Sequence, residues 1–237
     1  MTTRAAAFFD LDKTLLSRSS TLAFSRPFYE HGLISRTAML RGILAQAVFQ
    51  RAGAGQLRME RIRDQASRLC QGWPAEGVRA IVRDNLETII VPHLYDEARD
   101  LVAGHRAAGR DIIVVSASGH EVVDPIGALL GADTVIATEM VIADGRYTGD
   151  VAFYAFGEAK AARIRELALE RGYRLADCYA YSDSITDVPM LATVGHPTAV
   201  NPDRALRREA ARRGWPIRVF TASPYRRPAA EPPVHGM

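Results

Sequence analysis

The chain has 237 residues, of which 48% are hydrophobic and 24% charged, with a formal net charge of +3. That is the composition of a soluble globular protein, neither disordered nor fibrous, and long enough for one large domain or a domain with a subdomain. No apolar run reaches the roughly 18 residues that span a bilayer, and Met1–Phe9 is too short for a secretory signal.

In chain order, Ala5–Phe9 is a short apolar run ending in an acid and predicts a buried strand. Residues 17–90 read as mostly helical. In 36–50 the apolar positions Met39, Leu40, Ile43, Leu44, Ala47 and Val48 recur at helical spacing. Such a stripe suits packing against neighbouring helices or a peripheral membrane contact. Further helices are expected over 56–71 and 75–90, separated by Gly72-Trp73-Pro74. After Pro92 come a helix over 96–108, a β-branched strand over 111–115 and an apolar run over 134–138. Next are a hairpin of 140–142 and 146–148 joined by Ala143-Asp144-Gly145 and a helix over 158–171 stopped by Gly172. Strands follow at 178–182, 197–200 and 217–220. Pro224, Pro228, Pro232 and Pro233 mark the last segment.

Strands alternating with helices predict a mostly parallel sheet with helices on both faces. The block 17–90 interrupts that alternation and reads as an inserted cap. The expected division is a core of 1–16 and 91–220, a helical cap of 17–90 and a disordered, Pro-rich tail of 221–237.

The charge distribution is lopsided. Of the 30 basic residues, only Lys13 and Lys160 are lysines, and arginines crowd the end from Arg204 to Arg227. A solvated helix face and a basic tail explain that cluster, and no aromatic interleaving or recognition motif supports nucleic-acid binding. Cys70 and Cys178 make no disulfide framework, which points to the cytoplasm, and the six histidines lack zinc spacing. The sequence leaves the oligomeric state open.

Ligands of open α/β sheets bind beyond the carboxyl ends of the strands, so the polar residues there are the functional candidates. Asp10 and Asp12 fall on one side of the first strand's end. Two carboxylates so close repel each other and call for a divalent cation, or else serve a turn or a cap. Ser116, with the N–H groups of Ala117 and Ser118, suits an anion or an ordinary N-cap. Lys160 stands in a helix's first turn, where the dipole disfavours a cation. It either neutralises an anion there or is exposed and offset by Glu158. Asp183 and Asp187 close the series, with capping an alternative role for Asp187.

The order Asp-x-Asp, Ser, Lys, Asp-x-x-x-Asp resembles the haloacid dehalogenase superfamily, from about residue 5 to 220. Phe9-Asp10-Leu11-Asp12-Lys13-Thr14-Leu15 is similar to its first motif, Ser116 to the second, Lys160 to the third and 182–191 to the fourth. The helical insert and Asp144-Gly145-Arg146-Tyr147-Thr148-Gly149 resemble the phosphoserine-phosphatase-like branch, subfamily IB. The resemblance implies an α/β fold with a Rossmann-like parallel sheet and an inserted α-helical cap. It also implies an Mg²⁺-dependent hydrolase acting on a small phosphorylated metabolite.

In that reading Asp10 is the nucleophile that becomes an aspartyl-phosphate, and Asp12 is the general acid and base. Asp10, Asp12 (through its main-chain carbonyl) and Asp183 hold the metal, with Asp187 behind them. Thr14, Ser116, Ala117 and Lys160 hold the phosphate. An acid two residues after the nucleophile separates the family's phosphatases from its dehalogenases and P-type ATPases. Ser19 stands where phosphoserine phosphatases carry a glutamate, Thr186 where an asparagine is usual, and His120 follows the phosphate loop; these three are the substrate candidates. Two further functions remain open, a phosphatase of a lysophospholipid or other amphiphile and a non-catalytic phosphate-responsive interaction module.

Overall fold

The computed structural model describes residues 4–35 and 67–221. Seven strands form one sheet in the order β4-β3-β2-β1-β5-β6-β7. They are β1 (Ala6–Asp10), β2 (Asp111–Gly119), β3 (Thr134–Ala143), β4 (Arg146–Phe153), β5 (Tyr179–Ser182), β6 (His196–Val200) and β7 (Ile217–Arg218). All neighbours are parallel except β3 and β4, which form an antiparallel hairpin. This is the mostly parallel α/β architecture expected from the alternation, and the Rossmann-like sheet that the resemblance implies.

Every residue of β1 is buried. Ala7 and Phe9 join one hydrophobic cluster and Ala6 and Phe8 the other, as alternating side chains of a central strand must. The second cluster is covered by α6 (Glu158–Arg171), α7 (Val188–Thr193) and α8 (Arg204–Arg213). The first is covered by α4 (Asp96–Ala107) and α5 (His120–Leu129), together with the described part of the insertion.

That insertion shows α1 (Ser20–Ala23), α2 (Ser25–Glu30) and α3 (Ala75–Asp84). Phe24, Phe28, Val78, Ile81 and Val82 pack in the same cluster as Val122, Val123 and Ile126 of α5. The described helices of the insertion therefore share the core of the sheet. The hairpin β3–β4 pins them. Gly72 N–H donates to the Tyr147 carbonyl at 2.8 Å, Ala75 N–H to the Gly145 carbonyl at 3.0 Å, and the Arg146 guanidinium to the Gly72 carbonyl at 2.7 Å.

Four expectations are corrected. The run at 134–138 and the segment 140–142 are one strand, β3, with register shifts on either side of Met140. The hairpin turn is Asp144-Gly145 alone, both at positive φ (49° and 74°), which the twist of two-residue hairpins favours. The helix expected over 75–90 stops at Asp84 and continues beyond Asn85 as a π-helical turn, Leu86–Ile90. The second strand continues past Val115 to Gly119. The amphipathic stretch 36–50, most of 56–71 and the Pro-rich tail beyond Thr221 lie outside the described residues. Among the described residues, no helix is long and apolar enough to cross a membrane.

Candidate active site

β1, β2 and β5 lie side by side with parallel carboxyl ends, and the loops leaving them enclose a cavity of about 230 Å³. It is lined by Asp10, Asp12, Lys13, Ser19, Ser116, Ala117, Phe156, Lys160, Asp183, Ser184, Thr186 and Asp187.

Lys160 is the hub. It is 2% exposed, so it is not the solvated lysine that its place in a helix's first turn allowed. Its Nζ donates to Asp10 Oδ1 at 2.8 Å and to Asp187 Oδ2 at 2.9 Å. Burial alone would depress the ammonium, but the Asp10 and Asp187 carboxylates hold it well above the usual lysine range. Glu158 does not offset it; that carboxylate pairs with Arg165 at 2.6 Å. Gly157, with φ 56°, turns the chain into α6 and sets Lys160 inward.

Asp187 stands at the N-cap position of α7 without a side-chain capping bond. Its Oδ2 accepts from Lys160 and, at 2.7 Å, from the Ser182 hydroxyl. The capping alternative is thereby removed. Ser182 is fully buried and has no positive φ. Its Oγ also accepts from Ser184 N–H at 3.2 Å, so its hydroxyl clamps the loop after β5.

Asp10 is held at both oxygens. Oδ1 meets Lys160, and Oδ2 accepts the Thr14 hydroxyl at 3.0 Å. Thr14 is 1% exposed and does not line the cavity. The turn after β1 folds it inward, with Leu15 and Leu16 N–H donating to the Leu11 carbonyl, so its hydroxyl is committed to Asp10 rather than turned to a phosphate. Burial pushes Asp10 up to about 7, against the opposing pull of Lys160 and with added repulsion from Asp187 and Asp12.

Asp12 faces a different set. Oδ1 accepts from Ser20 N–H at 2.8 Å; Oδ2 accepts from the hydroxyls of Ser118 at 3.2 Å and Ser19 at 3.5 Å. Ser118 in turn accepts from the Ser20 and Thr21 hydroxyls at 3.2 and 3.0 Å. Burial raises the Asp12 carboxyl above the ordinary range, and the Ser20 and Ser118 hydrogen bonds hold part of that rise back. Two carboxylates two residues apart thus have distinct surroundings, one gripped by a cation and one by neutral donors. Such a division lets one act as nucleophile and the other exchange protons.

The end of β2, from Ser116 to Gly119, is partly committed. Ser118 N–H donates to Ser116 Oγ at 3.2 Å and so is not the free donor the sequence suggested. The β2–β3 ladder shifts register between Val115 and Gly119, and Thr138 pins this stretch by donating to the Ala117 carbonyl at 2.8 Å. The N-cap of α5 is Gly119, so Ser116 does not cap that helix. Ser19 and Thr186 line the cavity; His120 does not. Sequence reasoning missed Ser20, Thr21, Ser184 and Phe156. Ser184 lay inside the fourth motif, and Phe156 preceded the Gly157 turn.

Asp183 tests the fit of a metal. Burial pushes it up to about 8, with Asp10 adding repulsion and Lys13 opposing. Lys13, at φ 64°, is held in the left-handed region beside it. Four carboxylates of the cavity, Asp10, Asp12, Asp183 and Asp187, face two ammonium groups, Lys13 and Lys160. A further cation would offset that excess of acidic groups when an anionic substrate enters. The donors are all oxygen, the set that suits Mg²⁺. Among the described residues no three Asp, Glu, His or Cys side chains converge as a metal cage. The donor set fits an ion held by two carboxylates, a main-chain carbonyl and the substrate.

Comparison with known proteins agrees with this geometry. The chain is 59% identical to an inhibition of morphological differentiation protein of Streptomyces azureus, over 92% of this chain and 79% of the relative. It is 54% identical to a probable phosphatase of Mycobacterium tuberculosis, over 92% and 76%. More distant relatives carry two substrate names: an M. tuberculosis phosphoserine phosphatase (35%, over 91% and 71%) and a Neisseria meningitidis histidinol-phosphatase (31%, over 90% and 98%). A crystal structure of a Bordetella pertussis protein of unknown function superposes with a TM-score of 0.78 at 32% identity, covering 92% of this chain and 99% of that one. The family model for haloacid dehalogenase-like hydrolases matches residues 7–192. The chain belongs to the haloacid dehalogenase-like hydrolase family.

Proposed function

We propose that the chain is an Mg²⁺-dependent phosphomonoesterase working through an aspartyl-phosphate on Asp10. The observation that carries the reading is the unequal treatment of Asp10 and Asp12 within one cavity. Burial raises both carboxyls, but Lys160 and Thr14 fix both Asp10 oxygens, and the Lys160 ammonium pulls that carboxyl back toward the ionised form a nucleophile requires. Asp12 is ringed by neutral donors instead, with Ser20 and Ser118 at its oxygens, as a proton carrier requires.

An Asp10 oxygen attacks phosphorus, and the bond from phosphorus to the substrate alcohol breaks. Asp12 gives its proton to the leaving oxygen. Asp12 then takes a proton from water as that water attacks phosphorus, and the bond to Asp10 breaks to release phosphate. Lys160, Ser116 and the Ala117 N–H hold the phosphoryl oxygens while charge moves across them. Asp10, the Asp12 carbonyl and Asp183 would hold Mg²⁺, which when bound would neutralise the meeting of carboxylate and phosphate.

The substrate is a small phosphorylated metabolite. The cavity wall beyond the phosphate is Ser19, Ser184, Thr186 and Phe156, short hydroxyls and one ring. No glutamate stands at position 19 to grip an ammonium group. The test is hydrolysis of p-nitrophenyl phosphate with Mg²⁺, then a panel including phosphoserine, histidinol phosphate and lysophosphatidate. Turnover should vanish with EDTA and in Asp10→Asn. Full activity of Asp10→Asn would overturn the mechanism.

A further inference from the structure

A second cavity, of about 520 Å³, lies against β5, β6 and β7 and is lined in part by Tyr179, His196, Thr198, Arg213, Trp215 and Arg218. Tyr179 and His196 are paired across β5 and β6 at the start of both strands, the opposite end from Asp183. The space is within the range of small-ligand pockets, and none of the mechanism above uses it.

Its walls are aromatic. Tyr179 is stacked on His196 with centroids 4.4 Å apart and planes 20° from parallel, and the Arg110 guanidinium lies 4.4 Å from the Tyr179 ring centre. Arg213 lies over the Trp215 ring at 4.9 Å. His196 and Arg218 are exposed and Trp215 is half-buried.

Its charge is positive and only partly balanced. The lining contains no aspartate or glutamate. Arg213 is offset by Glu209 at 2.5 Å. Arg110, outside the lining but against Tyr179, donates to His105 Nδ1 and to the Tyr179 hydroxyl, both at 3.3 Å. Among the described residues, neither Arg110 nor Arg218 has a carboxylate within 4.0 Å. The field is felt next door, where burial and then Arg110 and Arg218 push His105 down to about 4.

We propose that this cavity binds a small anion carrying a flat aromatic ring, of the mononucleotide class. His196 and Trp215 supply stacking surfaces, and Arg218 with Arg213 meets the phosphate. A bare phosphate would engage the arginines and leave the aromatic walls unused.

The chain has two tryptophans, Trp73 and Trp215, so Trp73→Phe leaves the cavity's own reporter. Titrating that protein with AMP in EDTA, where turnover is absent, should give a saturable change in Trp215 emission. Arg218→Ala should weaken it at least about tenfold, the scale of one charge-assisted contact, with p-nitrophenyl phosphate turnover unchanged. His196→Ala, also at an exposed side chain, should weaken it too. No saturable change at millimolar AMP would overturn the proposal. So would an unaltered titration in both variants, or an equal response to adenosine or inorganic phosphate alone.

Discussion

A lysine with two carboxylates at hydrogen-bond distance is costly to remove. Lys160→Met leaves Asp10 and Asp187 buried without their cation. Losing one partner of a buried pair typically costs about 3–5 kcal/mol. The variant should be inactive and should unfold at distinctly lower urea. Arginine should not restore it, because a planar fork does not fit a point contact in a closed space. Ser118 offers a finer test. Its hydroxyl is one of the donors that lower Asp12, so Ser118→Ala should lift the Asp12 carboxyl further. An acid that must be protonated to expel the alcohol then stays competent to higher pH. The alkaline limb of the kcat profile should move upward; a downward move would count against Asp12 as the acid. The charged residues at strand ends were legible in the sequence because their types and spacing have few other uses. The hydroxyl cluster around Ser118 was not, because Ser20 and Thr21 reach it across nearly a hundred residues of chain.

At the scale of elements, β1, the helix carrying Lys160 and the Gly172 stop followed from periodicity and caps. The continuity of β3 did not, because its polar interior, Thr138 and Glu139, reads like a break. Nor did the docking of the hairpin on the insertion, which rests on backbone hydrogen bonds that side-chain patterns do not encode. Two predictions belong here. On α4, His105 is 5% exposed and faces Arg110, Arg218, Tyr179, Tyr181 and Phe9. Its folded value, about 4, lies below the ordinary 6.5. Between those values the unfolded chain binds a proton that the folded chain refuses, so stability rises with pH across that window. Urea midpoints should fall from pH 6.5 toward 4, and His105→Phe should flatten that part of the decline. Gly195 joins α7 to β6, and a Cβ there would lie 1.8 Å from the Ala176 carbonyl oxygen. Gly195→Ala must push two backbones apart, and overpacking of this kind costs about 1–3 kcal/mol; a lowered melting temperature would register it.

For the whole molecule, the cavity's excess of carboxylates makes the folded state responsive to cations. Mg²⁺ that binds only the folded chain should raise its melting temperature, by the equivalent of about 2.7 kcal/mol at a hundred times its dissociation constant. Asp183→Asn should shrink that rise. An equal rise in the variant would take Asp183 out of the donor set.

The scarcity of lysine has a practical consequence. Lys160 is buried and held by Asp10 and Asp187, and Lys13 lines the same cavity with part of its surface open. No other side chain in the protein carries a primary amine. Amine-directed reagents therefore have, besides the chain's own α-amino group, a single accessible target, and it lies in the mouth of the site. Acylation meant to attach a dye or a support would plug the cavity instead. Peptide mapping of one modified lysine against residual turnover would read out occupancy of the site directly.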